Sequence, residues 1–121
     1  MAAISGPTYL APTGTTGNNT HAGVNVNPSD RIGIAFVIEA VGATPTVTFA
    51  INGSQDGVNW VTAAIVAAAT PGTVATTSGA LTTVGQFHFF LPDPTFYKYL
   101  RVVSSANTNV TYRVEQYSLN H

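Results

Sequence analysis

Between Arg31 and Val41 the chain reads RIGIAFVIEAV, and this run limits the possible folds more than any other feature. Ile32, Ile34, Phe36 and Ile38 recur at every second position, so an extended strand puts them on one face. Arg31, Gly33, Ala35, Val37 and Glu39 form the other, mixed face. The same period returns in TVTFAINGS, where Val47, Phe49 and Ile51 alternate with Thr46, Thr48 and Ala50, the pattern of a half-buried antiparallel strand. Gly42 and Pro45 separate the two runs. Three further strands are expected in QFHFFL (86–91), YKYLRVVSS (97–105) and NVTYRVEQYS (109–118). The short SANTN link is expected to turn the last two into an antiparallel hairpin.

Asp56-Gly57 lies between two strand-like runs and signals a tight type I′ turn. With these two at its centre, Gly53 pairs with Trp60 and Ile51 with Thr62, which places the tryptophan on the core face covering the glycine. The following VNWVTAAIVAAATPG carries enough alanine for a short helix. It is read as a strand through Val66, because the preceding strand supplies a partner and Pro71-Gly72 ends any helix early.

Residues 1–30 have a different texture, with Pro7, Pro12, Pro28 and TGTTGNNT, and few large apolar side chains. Such a segment is expected to form a flexible N-terminal arm beside a domain spanning 31–121. Ile4, Tyr9 and Leu10, which have no obvious core to enter, become candidate anchors on a partner surface. Together these features predict an all-β protein, an antiparallel β-sandwich of jelly-roll or immunoglobulin-like type with an extended N-terminal arm.

The chemistry-bearing residues are sparse. Charged side chains are 7% of the 121 residues and the formal net charge is -1, against about 25% charged in an ordinary domain. Neither nucleic acid nor an anionic membrane is expected as a partner. Asp30, Glu39, Asp56, Asp93 and Glu115 are scattered, and His21, His88 and His121 show no metal-ligand spacing. With no cysteine and no nucleophile elbow, no catalytic residue, metal or cofactor is expected, and the chain is read as a non-enzyme. His88, between Phe87 and Phe89, is expected to face away from the core. The start lacks a basic region and an apolar run, and no stretch of about 18 apolar residues occurs. Synthesis in a cytoplasm is therefore expected.

The pattern GSQDGVNW … FYKYLRVVSS … NVTYRVEQYS, through Ser54, Asp56, Gly57, Trp60, Tyr99, Leu100, Arg101 and Val102, resembles small β-sandwich virion proteins of tailed phages, of the capsid decoration (cement) type. It is similar, more weakly, to discoidin-like galactose-binding modules, which are usually longer. The phage resemblance implies a structural protein of the virion, made in the host cytoplasm. Its partner would be the major capsid protein lattice, bound as a homo-oligomer with a trimer favoured. The alternatives are a tail or baseplate protein and a carbohydrate-binding module in which Trp60, Tyr97 and Tyr112 stack on sugar.

Overall fold

The computed structural model describes residues 3–26, 31–92 and 97–120, with side chains for 8–26, 31–92 and 97–118. The strands are β1 (Ala3–Thr16), β2 (Val24–Asn25), β3 (Arg31–Ser54), β4 (Val61–Thr62), β5 (Ile65–Ala67), β6 (Val74–Ala75), β7 (Ala80–Leu81), β8 (Gly85–Phe90) and β9 (Tyr99–Asn120). All pair antiparallel in one sheet of order β1-β9-β3-β8-β5-β6, with β2 on β9 and both β4 and β7 on β3. No described residue is helical, so the alanine-rich stretch after Trp60 does contain strands.

The two runs separated by Gly42 and Pro45 belong to one strand. β3 pairs with β9 from Arg31↔Leu119 to Val41↔Val110, and again from Thr46↔Thr108 to Ser54↔Tyr99. At the junction Gly42, Ala43, Thr44 and Pro45 stand against Asn109 alone, and the ladder bends. Thr44, Ala106 and Asn109 have φ of 45°, 52° and 54°, so every non-glycine residue described with positive φ lies at this bend. Asn109 Nδ2 donates to the Ala43 carbonyl at 2.7 Å, and Asn107 Nδ2 donates to the carbonyls of Gly17 (3.0 Å) and Val110 (3.1 Å).

SANTN is therefore a bend and not a hairpin. Residues 99–105 and 110–118 do not pair with each other, because each already has β3 as partner. Two other segments turn the same crest. Residues 82–84 join β7, beside Val47, to β8, beside Ile38, while residues 17–19 join Thr16, opposite Thr111, to Thr20, opposite Val103.

Bending brings the inner faces of the two halves together. Phe36 stacks on Phe49 at 4.7 Å between ring centroids, and Tyr112 and Phe89 meet this pair edge-on at 4.8 and 5.2 Å. Ile32, Ile34, Ile38, Val47 and Ile51 of β3, as its period-two pattern requires, and Leu100, Val102, Val110 and Val114 of β9 pack into the same core. Each such side chain contributes on the order of 1.5–3 kcal/mol by leaving water.

The stretch expected to be a flexible arm is instead part of the sheet. β1 runs along β9 from Ala3↔Asn120 to Thr16↔Thr111, and β2 continues along it at Val24↔Leu100. Residues 27–30, which include the expected boundary, lie outside the described residues, as do Asp93 and His121. The register of β1 slips between Ser5 and Thr8, between Tyr9 and Ala11, and between Ala11 and Thr15. The second slip is a bulge that turns both Leu10 and Ala11 inward, which hides the strand from any period-two reading.

The loop after β3 also differs from expectation. Gly57 has φ 76° but Asp56 does not have positive φ, so a type I′ turn is excluded. Ser54 Oγ accepts the N–H groups of Asp56 (3.2 Å) and Gly57 (2.9 Å), and Asp56 Oδ1 accepts those of Val58 and Asn59, both at 2.8 Å. This polar cap holds a wider loop, with Gly53 opposite Val61 and Asn52 opposite Thr62. The register is one residue off the expected one, and Trp60 leaves the core face. Tyr97 covers Gly53 instead: a Cβ there would stand 2.2 Å from Tyr97 Cδ1.

Gly53→Ala is thus expected to lower unfolding stability by about 1–3 kcal/mol, whereas Gly72→Ala, with open space around it, should be near neutral. Urea denaturation of both variants checks this.

Candidate interaction surface

The residues singled out from sequence do not converge on one site. Leu10 is 3% exposed and sits in the core, so it is not a surface anchor. Tyr9 is 51% exposed and lies opposite Glu115. Ile4 pairs with Leu119, and its side chain lies outside the described ones. Of the three aromatic residues proposed to stack on sugar, Tyr112 is fully buried and cannot do so. Its hydroxyl donates to Ser104 Oγ at 2.7 Å and lies 3.1 Å from His21 Nε2. The His21 ring and the Ser104 hydroxyl thus both meet the Tyr112 hydroxyl. Ser104 Oγ in turn donates to the Gly17 carbonyl (3.2 Å) and accepts from the Asn19 N–H (2.9 Å), which ties the segment before β2 to the core.

Two rows of cross-strand partners appear where the register is followed outward, exposed at Val74, Phe90 and Tyr9 and buried at Val66, Ala35 and Glu115. Val74 pairs with Val66, Val66 with Phe90, Phe90 with Gly33 and Gly33 with Tyr117, so one apolar row crosses β6, β5, β8, β3 and β9 on a single face. The next row contains His88, Ala35, Glu115 and Tyr9. Val74 is 63% and Phe90 37% exposed. With Tyr9 they bring large exposed apolar groups onto what the alternation marks as the mixed face of β3. His88 is exposed on this face, as expected. Sequence reasoning missed the row because it depends on which strands are neighbours, and no local period encodes that.

Three ionic groups of this face, Arg113, Glu115 and Glu39, satisfy one another, while Arg31 on the same face is exposed. Arg113 Nε lies 2.6 Å from Glu115 Oε1 and its Nη1 3.1 Å from Glu39 Oε2. The Tyr117 hydroxyl donates to Glu115, and the Thr13 hydroxyl and Gly14 N–H donate to Glu39. The Tyr117 hydrogen bond, then Arg113, hold the Glu115 carboxyl below its ordinary range, and Thr13 with Gly14 and Arg113 do the same for Glu39. Both remain ionised at neutral pH without needing an external partner.

On the outer face of the other half, the Arg101 guanidinium lies 4.4 Å from the Trp60 ring centroid and Nε donates to Asn52 Oδ1 at 3.1 Å. The far edge of the Trp60 ring rests on Gly23, where a Cβ would be 2.6 Å from Cη2. Tyr97, over Gly53, faces the core and not this stack. A cleft of about 550 Å³ lies at the crest, lined by small uncharged residues such as Thr16, Gly42, Asn107 and Asn109. Among the described residues no group of His, Asp and Glu is placed to hold a metal ion.

No family model matches the chain, and no curated protein matches it in sequence. Among solved structures it is similar to the SPBc2 prophage-derived protein YomS, with a TM-score of 0.74 over 99% of this chain and 96% of that one, at 5% identity. The two share an all-β fold end to end.

Acidification should destabilise the protein in two stages. Burial lowers the His21 pKa, so the unfolded chain takes up its proton first and stability starts to fall below the ordinary value of 6.5. Glu39, Glu115 and Asp56, all held low in the folded state by hydrogen bonds, add a second loss once the unfolded carboxyls protonate, from 4.5 downward. Melting temperature against pH measures both stages, and His21→Gln should abolish the first.

Proposed function

We propose that this protein is a non-enzymatic structural component of a phage particle that docks on the outer surface of the capsid lattice and stabilises the shell. The observation that carries this reading is the apolar row from Val74 to Tyr117 with Tyr9 beside it, in which Val74, Phe90 and Tyr9 are exposed and beside which Arg113, Glu115 and Glu39 are internally paired. Covering Arg113, Glu115 and Glu39 with protein leaves none of these three charges unpaired. The end-to-end fold likeness to a prophage-derived protein supports the phage association. The carbohydrate alternative is weakened by the enclosure of Tyr112.

Cement action follows from mass action. A protein that binds only the assembled lattice stabilises that lattice in proportion to occupancy, and repeated modest contacts suffice when many copies bind. The protein would sit there as a homo-oligomer, a trimer around a local three-fold axis in the simplest arrangement. The face replaces the N-terminal arm as the docking element, since removing β1 would strip β9 of its partner.

Particles lacking this protein, incubated with purified protein and sedimented, test the reading. Saturable binding to heads is expected, weakened roughly 30- to 150-fold by Tyr9→Ser with Phe90→Ser, the loss of about 2–3 kcal/mol of apolar contact. Binding to isolated tails but not heads would move the protein to the tail or baseplate. Unchanged head binding by the folded double variant would refute the proposed face.

A further inference from the structure

The crest cleft of about 550 Å³ lies at the end of the docking face. Along β9, Tyr117, Glu115, Arg113 and Thr111 alternate without a slip, so they share one side of the sheet. Thr111 stands between Thr16 of β1 and Ala40 of β3, and this row continues the face that carries the Tyr117 and Glu115 rows. All three of its residues line the cleft. Between them and the Glu115 row lies the ion pair of Arg113 with Glu39, which also accepts from Thr13 and Gly14 just before Thr16. The far wall is fixed. Asn107 Nδ2 donates to the Gly17 and Val110 carbonyls, its Oδ1 accepts the Val110 N–H, and Asn109 holds the Ala43 carbonyl. A concavity braced in this way needs little further ordering when something enters it.

We propose that this cleft is the recessed part of the docking face and receives an uncharged loop projecting from the capsid surface. The identification of a capsid partner rests on the docking reading above. The chemistry of the cleft selects the kind of loop. No charged residue lines it, and the neighbouring Arg113 and Glu39 hold each other. A charged side chain entering it would lose water without gaining a counter-ion. Ala40 and Val41, both exposed, offer apolar contact. The hydroxyls of Thr16 and Thr111 can donate to a main-chain carbonyl or accept from a main-chain N–H. A peptide segment with small apolar or hydroxyl side chains matches all of these groups. No aromatic ring lines the cleft, so a sugar finds no surface there to stack on.

Charge of either sign placed in the cleft tests this in the particle assay. Thr16 is exposed on the edge strand β1, so Thr16→Glu and Thr16→Lys should fold as wild type does by circular dichroism. Both are expected to bind heads at least roughly tenfold more weakly. Val58→Glu and Val58→Lys, on the exposed loop between β3 and β4, should bind as wild type does. Ala40→Glu, from the β3 side of the cleft, replaces any Thr16 variant that fails to fold and is expected to show the same loss. Wild-type head binding by the Thr16 variants would overturn the cleft assignment, and the docking reading would stand if Tyr9→Ser with Phe90→Ser still weakened binding. Weakening by one sign and tightening by the other would also overturn it, since a charged group would then occupy the cleft. So would a wild-type oligomer, formed without particles, that the Thr16 variants dissociate in sedimentation, because a second copy would then fill the cleft. If periodate-oxidised particles bind wild type and Thr16→Glu alike, the occupant is a glycan and the assignment fails. Absence of wild-type binding to heads would refute the docking reading, and the capsid loop with it.

Discussion

The antiparallel pairing of segments 31–54 and 99–120, far apart in sequence, is the constraint on which the other elements depend. β3 takes β8, β7 and β4 on its free edge, and β9 takes β1 and β2 on its own. Because the shared ladder bends at residues 42–45 and 106–109, a single sheet supplies both walls of the core. The Phe36–Phe49 stack joins residues of the same strand from opposite sides of that bend. Two positive-φ residues without an asparagine side chain, Thr44 and Ala106, are tolerated there because the surrounding ladders and the Asn107 and Asn109 amides leave the chain no better path.

With so few charges, the polar work falls to hydroxyls and amides. Ser104 and Tyr112 anchor the segment leading to β2, Ser54 and Asp56 cap the loop to β4, and Asn107 binds Gly17 across the crest. No buried side-chain nitrogen or oxygen among the described residues lacks a partner. Neutral bonds of this kind contribute only about 0.5–1.5 kcal/mol each, but a buried group left unmatched costs more. They select one arrangement of the bends more than they add stability.

Much of this was readable in the chain. The alternation in β3 located its inward residues in both halves, because a strand with one buried face must repeat every second residue. QFHFFL likewise marked β8. Three features were not readable, each for a local reason. β1 has bulges at which Leu10 and Ala11 both point inward, so its period is broken. The link before Asn109 looks like a hairpin turn, and only the distant competition from β3 makes it a bend. Asp56-Gly57 carries a turn signal whose length is set by Ser54 and the Asp56 carboxylate, and one extra residue was enough to move Trp60 from the core to the outer face. The candidate surfaces were lost with those errors. Tyr9 was recognised, but Phe90, Val74 and Tyr117 become its neighbours only through strand order, and Arg101 meets Trp60 only in the shifted register.

The proposed docking face lies on the outer face of one half, and the bend in β3 and β9 turns the outer face of the other half away from it. Cross-strand nuclear Overhauser effects in a labelled sample test that bend most directly. The account predicts contacts between Ala50 and Val103 and between Phe36 and Val114, partners in the long ladder. Contacts pairing residues 99–105 with 110–118 instead, as in a closed hairpin, would contradict it.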